Sequence, residues 1–160
     1  QAGSMGDGAI RHHRCRRFGC DFCAVLMFEY KATVVKIIDG DTVDCDIDLG
    51  FSVVLHKQRI RLKGIDTPES RTRDKVEKLY GLAAKAYLEG FIWAAGDDLS
   101  IETSMDGRGK FGRILGRLIN RDGECINDIM CEVGHAVPYE GQSKEDIKAL
   151  HLENRKKVAL

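Results

Sequence analysis

From Thr42 to Leu49 apolar and polar residues alternate one for one. Val43, Cys45, Ile47 and Leu49 fall on one face, Asp44, Asp46 and Asp48 on the other. This is the two-residue period of a half-buried strand. Upstream, Glu29–Ile38 is rich in β-branched residues and stops at Asp39-Gly40; downstream, Gly50 turns the chain into a third candidate strand, Phe51–Leu62. Three strands with short turns predict a curled antiparallel meander. The period then changes. After a loop from Gly64 to Arg73, Val76, Leu79, Tyr80, Ala83, Ala86, Tyr87, Gly90, Phe91 and Ala94 recur at helical spacing, predicting a helix over 74–95 closed by Gly96.

Leu99–Thr103 and Arg113–Asn120 read as two more strands, joined by the glycine-rich basic loop Met105–Gly112. Ile126, Ile129, Met130 and Val133 mark a short helix ended by Gly134, and Ser143-Lys-Glu-Asp146 resembles a capping box opening a last helix to Lys157. The expectation is an α+β fold that is mainly β barrel: an OB-fold, five-stranded Greek-key barrel with three helices.

A length of 160 residues suits one domain with a sizeable core. We expect that domain over residues 28–160 and a disordered leader over 1–27. Gln1–Met5 reads as a tag remnant, and Met5 or Met27 as a natural start. Cys15, Cys20 and Cys23 follow His12 and His13, but their spacing lacks the paired knuckle of a structural zinc site. Cys45, Cys125 and Cys131 sit in apolar patterns and read as core fillers. No apolar run approaches a membrane span, and Cys23–Phe28 is short for a signal segment. The sequence assigns no compartment, no protein partner and no oligomeric stripe, so a monomer is expected.

The 25 basic and 25 acidic residues cancel, which argues against a protein that coats nucleic acid by bulk charge. Their placement is uneven. Asp39–Asp48 holds five acids and no base, while Lys57–Lys75 holds seven bases against three acids. Basic zones beside an acidic cluster suit a site that binds a cation and a polyanion together.

Asp41 has the strand parity of Val43 and Cys45, so its carboxylate points towards the barrel. An unpaired charge there is costly, and a metal or an arginine would resolve the cost. Alone, Asp39-Gly40-Asp41-Thr42 reads equally as a self-capping turn, and Asp66-Thr67-Pro68-Glu69 as a helix entrance. Arg61 shares parity with Arg59 and Lys63, and periodicity does not separate it from a solvated basic face. Guanidinium forks match phosphate oxygens, and hard carboxylate donors suit calcium, magnesium or manganese. His56, His135 and His151 read as isolated structural or surface residues. No nucleophile triad, P-loop or dinucleotide fingerprint occurs.

Three ordered blocks carry a family resemblance. Val34-Val-Lys-Ile-Ile-Asp39-Gly-Asp41-Thr42-Val43, Arg61-Leu-Lys-Gly-Ile-Asp66-Thr67-Pro68-Glu69 and Gly109-Lys110-Phe111-Gly112-Arg113 resemble the signature blocks of the staphylococcal nuclease-like (thermonuclease) family. The similarity runs from Tyr30 to Arg155, with Gly134-His-Ala-Val-Pro-Tyr139 as a weaker fourth block. It implies an OB-fold barrel and calcium-dependent cleavage of DNA or RNA leaving 3′-phosphate ends. Carried over position by position, Asp41, Asp66 and the Thr67 carbonyl would bind one calcium ion, supported by Asp39. Glu69 would orient or deprotonate the attacking water. Arg61 and Arg113 would clamp the phosphate; Lys110, Phe111 and Tyr139 would line the nucleotide site. Two positions depart from the best-known members: Gly109 stands where they carry an acid, and Phe111 where they carry a tyrosine. The competing expectation is a non-catalytic OB-fold module that binds nucleic acid or protein without cutting.

Overall fold

The computed structural model describes residues 28–105 and 114–158. The leader over 1–27, with its histidines and cysteines, and the loop residues Lys110, Phe111 and Arg113 lie outside them. Five long strands close a barrel in the order β1 (Phe28–Asp39), β2 (Thr42–Asp48), β3 (Val54–Leu62), β6 (Ile114–Ile119), β5 (Ser100–Met105). Pairs are antiparallel except β3 with β6, and β5 pairs back on β1 to close the ring. Helices α1 (Lys75–Ala95), α2 (Ile126–Glu132) and α3 (Lys144–Asn154) complete the α+β architecture expected above. Among the described residues no helix is long and apolar enough to cross a membrane.

The alternation over 42–48 has its expected outcome. Val43, Cys45 and Ile47 are buried, while Asp44 and Asp46 face outwards to Arg59 and His56. Burial among these carboxylates pushes the Cys45 thiol up to about 12, so it stays a protonated core filler. Cys125 and Cys131 are only partly buried. The register shifts twice along β1 and once along β2, and such bulges tighten a sheet into a small barrel.

The elements follow their local signals with three differences. Asp74 caps α1 by accepting from the Val76 and Glu77 N–H groups, and Gly96 closes it at φ 57°. Ser143 caps α3 by accepting from the Asp146 N–H, yet that helix ends at Asn154, short of the expected Lys157. The third strand starts at Val54 and not Phe51. Phe51 and Ser52 have positive φ, in a turn closed by the Val53 N–H donating to the Gly50 carbonyl. Two short strands were not anticipated: β4 (Ile65–Asp66) pairs with β7 (Val137–Pro138) beside the barrel.

Asn127, 1% exposed on α2, fastens the parallel β3–β6 seam. Its Nδ2 donates to the Lys63 and Gly116 carbonyls at 2.9 and 3.1 Å, and its Oδ1 accepts from the Leu118 N–H at 3.3 Å. Asn127→Leu strands those groups in an apolar setting. A loss of about 2–3 kcal/mol is expected in urea unfolding; an unchanged midpoint would mean that the seam holds without it.

Candidate active site

The β1–β2 turn, the end of β3 and the loop after β4 converge on one cleft of about 380 Å³. The turn is tight because Asp39 pairs directly with Thr42. Gly40 lets it sit close: a Cβ there would stand 3.0 Å from both Thr67 Oγ1 and Ala84 Cβ. The Thr67 N–H donates to Asp41 Oδ2 at 3.4 Å, and the Asp41 carbonyl accepts from the Leu62 N–H at 2.8 Å. The turn is thus tied to the end of β3 by a backbone bond and to the Thr67 loop through the Asp41 side chain.

Arg61 spans both acids. Its two terminal nitrogens lie 2.9 Å from Asp41 Oδ2 and 2.8 Å from Asp66 Oδ1. The neighbouring cation of equal parity, Arg59, pairs with Asp44 on the exposed face, so the structure separates what periodicity could not. Asp41 is only 6% exposed. Burial pushes its carboxyl above the usual value; Arg61 and the Thr42 hydroxyl pull it back without cancelling that, and the Asp66 charge pushes the same way as burial. Asp66 ends up below its usual value, because the bond to His151 and the charge of Arg61 outweigh its burial. Asp39 also lies low: against burial stand the Ser70 hydroxyl and the Arg71 guanidinium, both bonded to it.

Glu69 is exposed and lines the same cleft. Among the described residues its carboxylate accepts no hydrogen bond. Tyr139 is not brought to the cleft; it sits just past β7, its N–H donating to the Gly64 carbonyl.

Sequence reasoning missed two residues. His151, read as isolated, places Nε2 3.1 Å from Asp66 Oδ2 with its side chain 12% exposed. Gly81 was the other. A Cβ on this helical glycine would meet the Glu69 carbonyl carbon and the Ser70 nitrogen at 2.6 Å, so its bareness lets the Glu69 loop press against α1. The signal was a glycine inside a helical pattern, which costs about 1 kcal/mol over alanine and calls for a packing reason. Gly81→Ala must displace that loop. Turnover should fall by about 10–100-fold, since misplacement near 1 Å costs that much. Gly90→Ala, with nothing within 4 Å of the added Cβ, should leave it intact. Equal turnover in both variants would refute the close-approach account.

Comparison with known proteins points to one family. The model of the staphylococcal nuclease homologue family matches residues 59–159, which takes in Arg61, Asp66 and Glu69 and leaves out Asp39 and Asp41. Endonuclease YhcR of Bacillus subtilis is 28% identical over 116 residues, covering 69% of this chain and 9% of that protein. An Escherichia coli protein described as an uncharacterized endonuclease is 29% identical over 123 residues, covering 77% of this chain and 70% of that one. This chain therefore spans only a small part of the Bacillus protein. With more than half of its length matched, the chain belongs to the staphylococcal nuclease homologue family.

Proposed function

We propose that this chain is a metal-dependent nuclease that hydrolyses phosphodiester bonds of DNA or RNA by attack of water on phosphorus. The observation that carries this is the bridge of Arg61 across Asp41 and Asp66, in a cleft that Glu69 also lines. A guanidinium beside two carboxylates is the arrangement expected where a phosphate and a cation meet.

The donor set fits a hard divalent cation. Asp41 and Asp66 present carboxylate oxygens to the cleft, and the Asp41 side chain is buried there, where a cation beside Arg61 would offset the cost of its charge. Among the described residues no three His, Cys, Asp or Glu side chains stand in ligand geometry, so the chain would give two carboxylates and the Thr67 carbonyl, with water completing the shell. Asp39, held by Ser70 and Arg71, would stiffen the turn that carries Asp41. Calcium is the ion we assign, and when bound it supplies Lewis-acid stabilisation to the phosphate.

The chain's own residues do the rest. Glu69 accepts a proton from the attacking water, as an exposed carboxylate facing the cleft can. Arg61 turns one of its donors to a phosphate oxygen and stabilises the charge that grows there. Arg113 is assigned a second clamp and Lys110 and Phe111 contacts to the nucleotide, while Tyr139, outside the cleft lining, is assigned a contact to a flanking nucleotide. Scission of the 5′ oxygen–phosphorus bond, with water protonating the departing oxygen, leaves a 3′-phosphate and a 5′-hydroxyl. We place the functional domain at residues 28–160, since β1 is needed to close the barrel.

The test is to incubate the protein with single-stranded DNA, duplex DNA and RNA, in calcium or in chelator, and to map the ends. Calcium-dependent cutting with 3′-phosphate products is expected. Binding without cutting in any divalent ion would overturn the nuclease and leave a binding module.

A further inference from the structure

Lys144, Lys148, His151 and Arg155 are spaced four, three and four residues apart. That spacing keeps side chains on one face of a helix. All four line the cleft that holds the carboxylates. Lys144 and Lys148 are exposed, while His151 and Arg155 are partly buried, so the stripe runs from solvent inwards. His151 ends on Asp66. Arg155 lies 5.1 Å over the ring of Tyr80, and its Nε is buried with no hydrogen-bond partner among the described residues.

The acidic part of the lining poses a physical difficulty for the nuclease reading. Asp39, Asp41, Asp66, Glu69, Asp74 and Glu77 line that same cleft, and carboxylates repel a nucleic-acid backbone. A bound cation and Arg61 compensate at one phosphate only. The phosphates on either side need cations of their own. A helical stripe of about 16 Å is long enough to supply them to more than one phosphate of a strand lying along it. A cleft of about 380 Å³ has the size of a site for a single small unit such as one nucleotide, so the stripe is matched here to one strand.

We propose that this stripe of α3 is a backbone track for a single nucleic-acid strand. It holds the phosphates that flank the one being cut, by charge and without reading bases. The inference rests on the nuclease reading for its location and reaches beyond it to how the substrate is seated. Lys144 and Lys148 carry the outer part of the track, and Arg155, stiffened by stacking on Tyr80, carries the inner part.

The experiment measures binding of a single-stranded oligonucleotide by fluorescence anisotropy across a salt series, in chelator so that no cutting occurs. The proteins are the full chain, the Lys144→Gln/Lys148→Gln double variant, and a Lys31→Gln/Lys36→Gln control that removes the same charge from exposed positions on β1. Two lost phosphate contacts should flatten the slope of log K against log salt by about 1.4 in the stripe variant. Affinity at low salt should fall about 10-fold there, and the control should match the full chain. Thermal melts that coincide for all three keep the comparison free of folding effects. A stripe variant with the slope of the full chain, or a control that loses as much, overturns the track; so does a full chain that binds duplex more tightly than single strand. If the full chain cuts nothing in calcium yet shows the expected slope change, the nuclease reading fails and the track stands.

Discussion

Arg61→Gln should lose about 10²–10³-fold in turnover, the cost of removing one charge-stabilising donor from a site. In chelator it should also lose about 2–4 kcal/mol of stability. Breaking a wholly buried pair costs about 3–5 kcal/mol because an uncompensated charge stays behind. The Arg61 side chain is 22% exposed and that of Asp41 8%, so part of that cost is screened by solvent. What remains is a carboxylate held, among the described residues, by the Thr42 hydroxyl and the Thr67 N–H, facing a second carboxylate. Asp41→Asn should act in the opposite sense. It removes the charge that burial disfavours, so in chelator the variant should be as stable as the parent or more so, while calcium should no longer raise its melting point. The double variant should recover most of the stability lost in Arg61→Gln and none of the turnover, a coupling that a double-mutant cycle measures. Arg61→Lys should not rescue, because an ammonium is a point charge and cannot span two carboxylates as the fork does. Parent-like stability and turnover in Arg61→Gln would refute the bridge as the organiser of the site.

That the Asp41 side chain turns inwards was readable in the chain, and its reason is local. Strand parity is a property of a few consecutive residues, and Val43, Cys45 and Ile47 set it. The barrel was readable for the same cause, since its strands and helix caps each carry their own signal. Arg61 was not separable from Arg59, because parity sends both to the same side of β3. Their difference arises from how far each stands along the strand: Arg59 opposite Asp44, Arg61 opposite Thr42 and within reach of the turn. His151 was harder still. It lies 85 residues from Asp66 in sequence, and only the pairing of β4 with β7 and the turn into α3 bring them together. Gly81 and Gly90 look alike in the helical pattern, and only tertiary packing shows that one abuts a backbone and the other nothing. Contacts made within an element are written in its residues, whereas contacts between elements depend on the packed fold.

Glu69→Gln should separate chemistry from binding more cleanly than any change at Arg61. Turnover should drop by about 10²–10⁴-fold, the range for losing a general base. Stability should stay within about 0.5 kcal/mol, because the residue is exposed and the swap keeps its shape. Affinity for an oligonucleotide in chelator should hold or improve, since one of the carboxylates that repel the backbone has gone. A falling turnover with an unweakened complex is the signature of a group that acts only in the transition state. Raising the pH should return part of the lost rate, as hydroxide takes over from the missing base. Glu69→Asp keeps the charge but draws it back by one bond of about 1.5 Å, and its loss should fall between those of the parent and the glutamine variant. The loop that carries Glu69 is pressed on α1 at Gly81, so Gly81→Ala should resemble Glu69→Asp and not Glu69→Gln: a base present but misplaced. If Glu69→Gln cuts as fast as the parent, the proton leaves by another route, and the carboxylate serves the cleft only as charge.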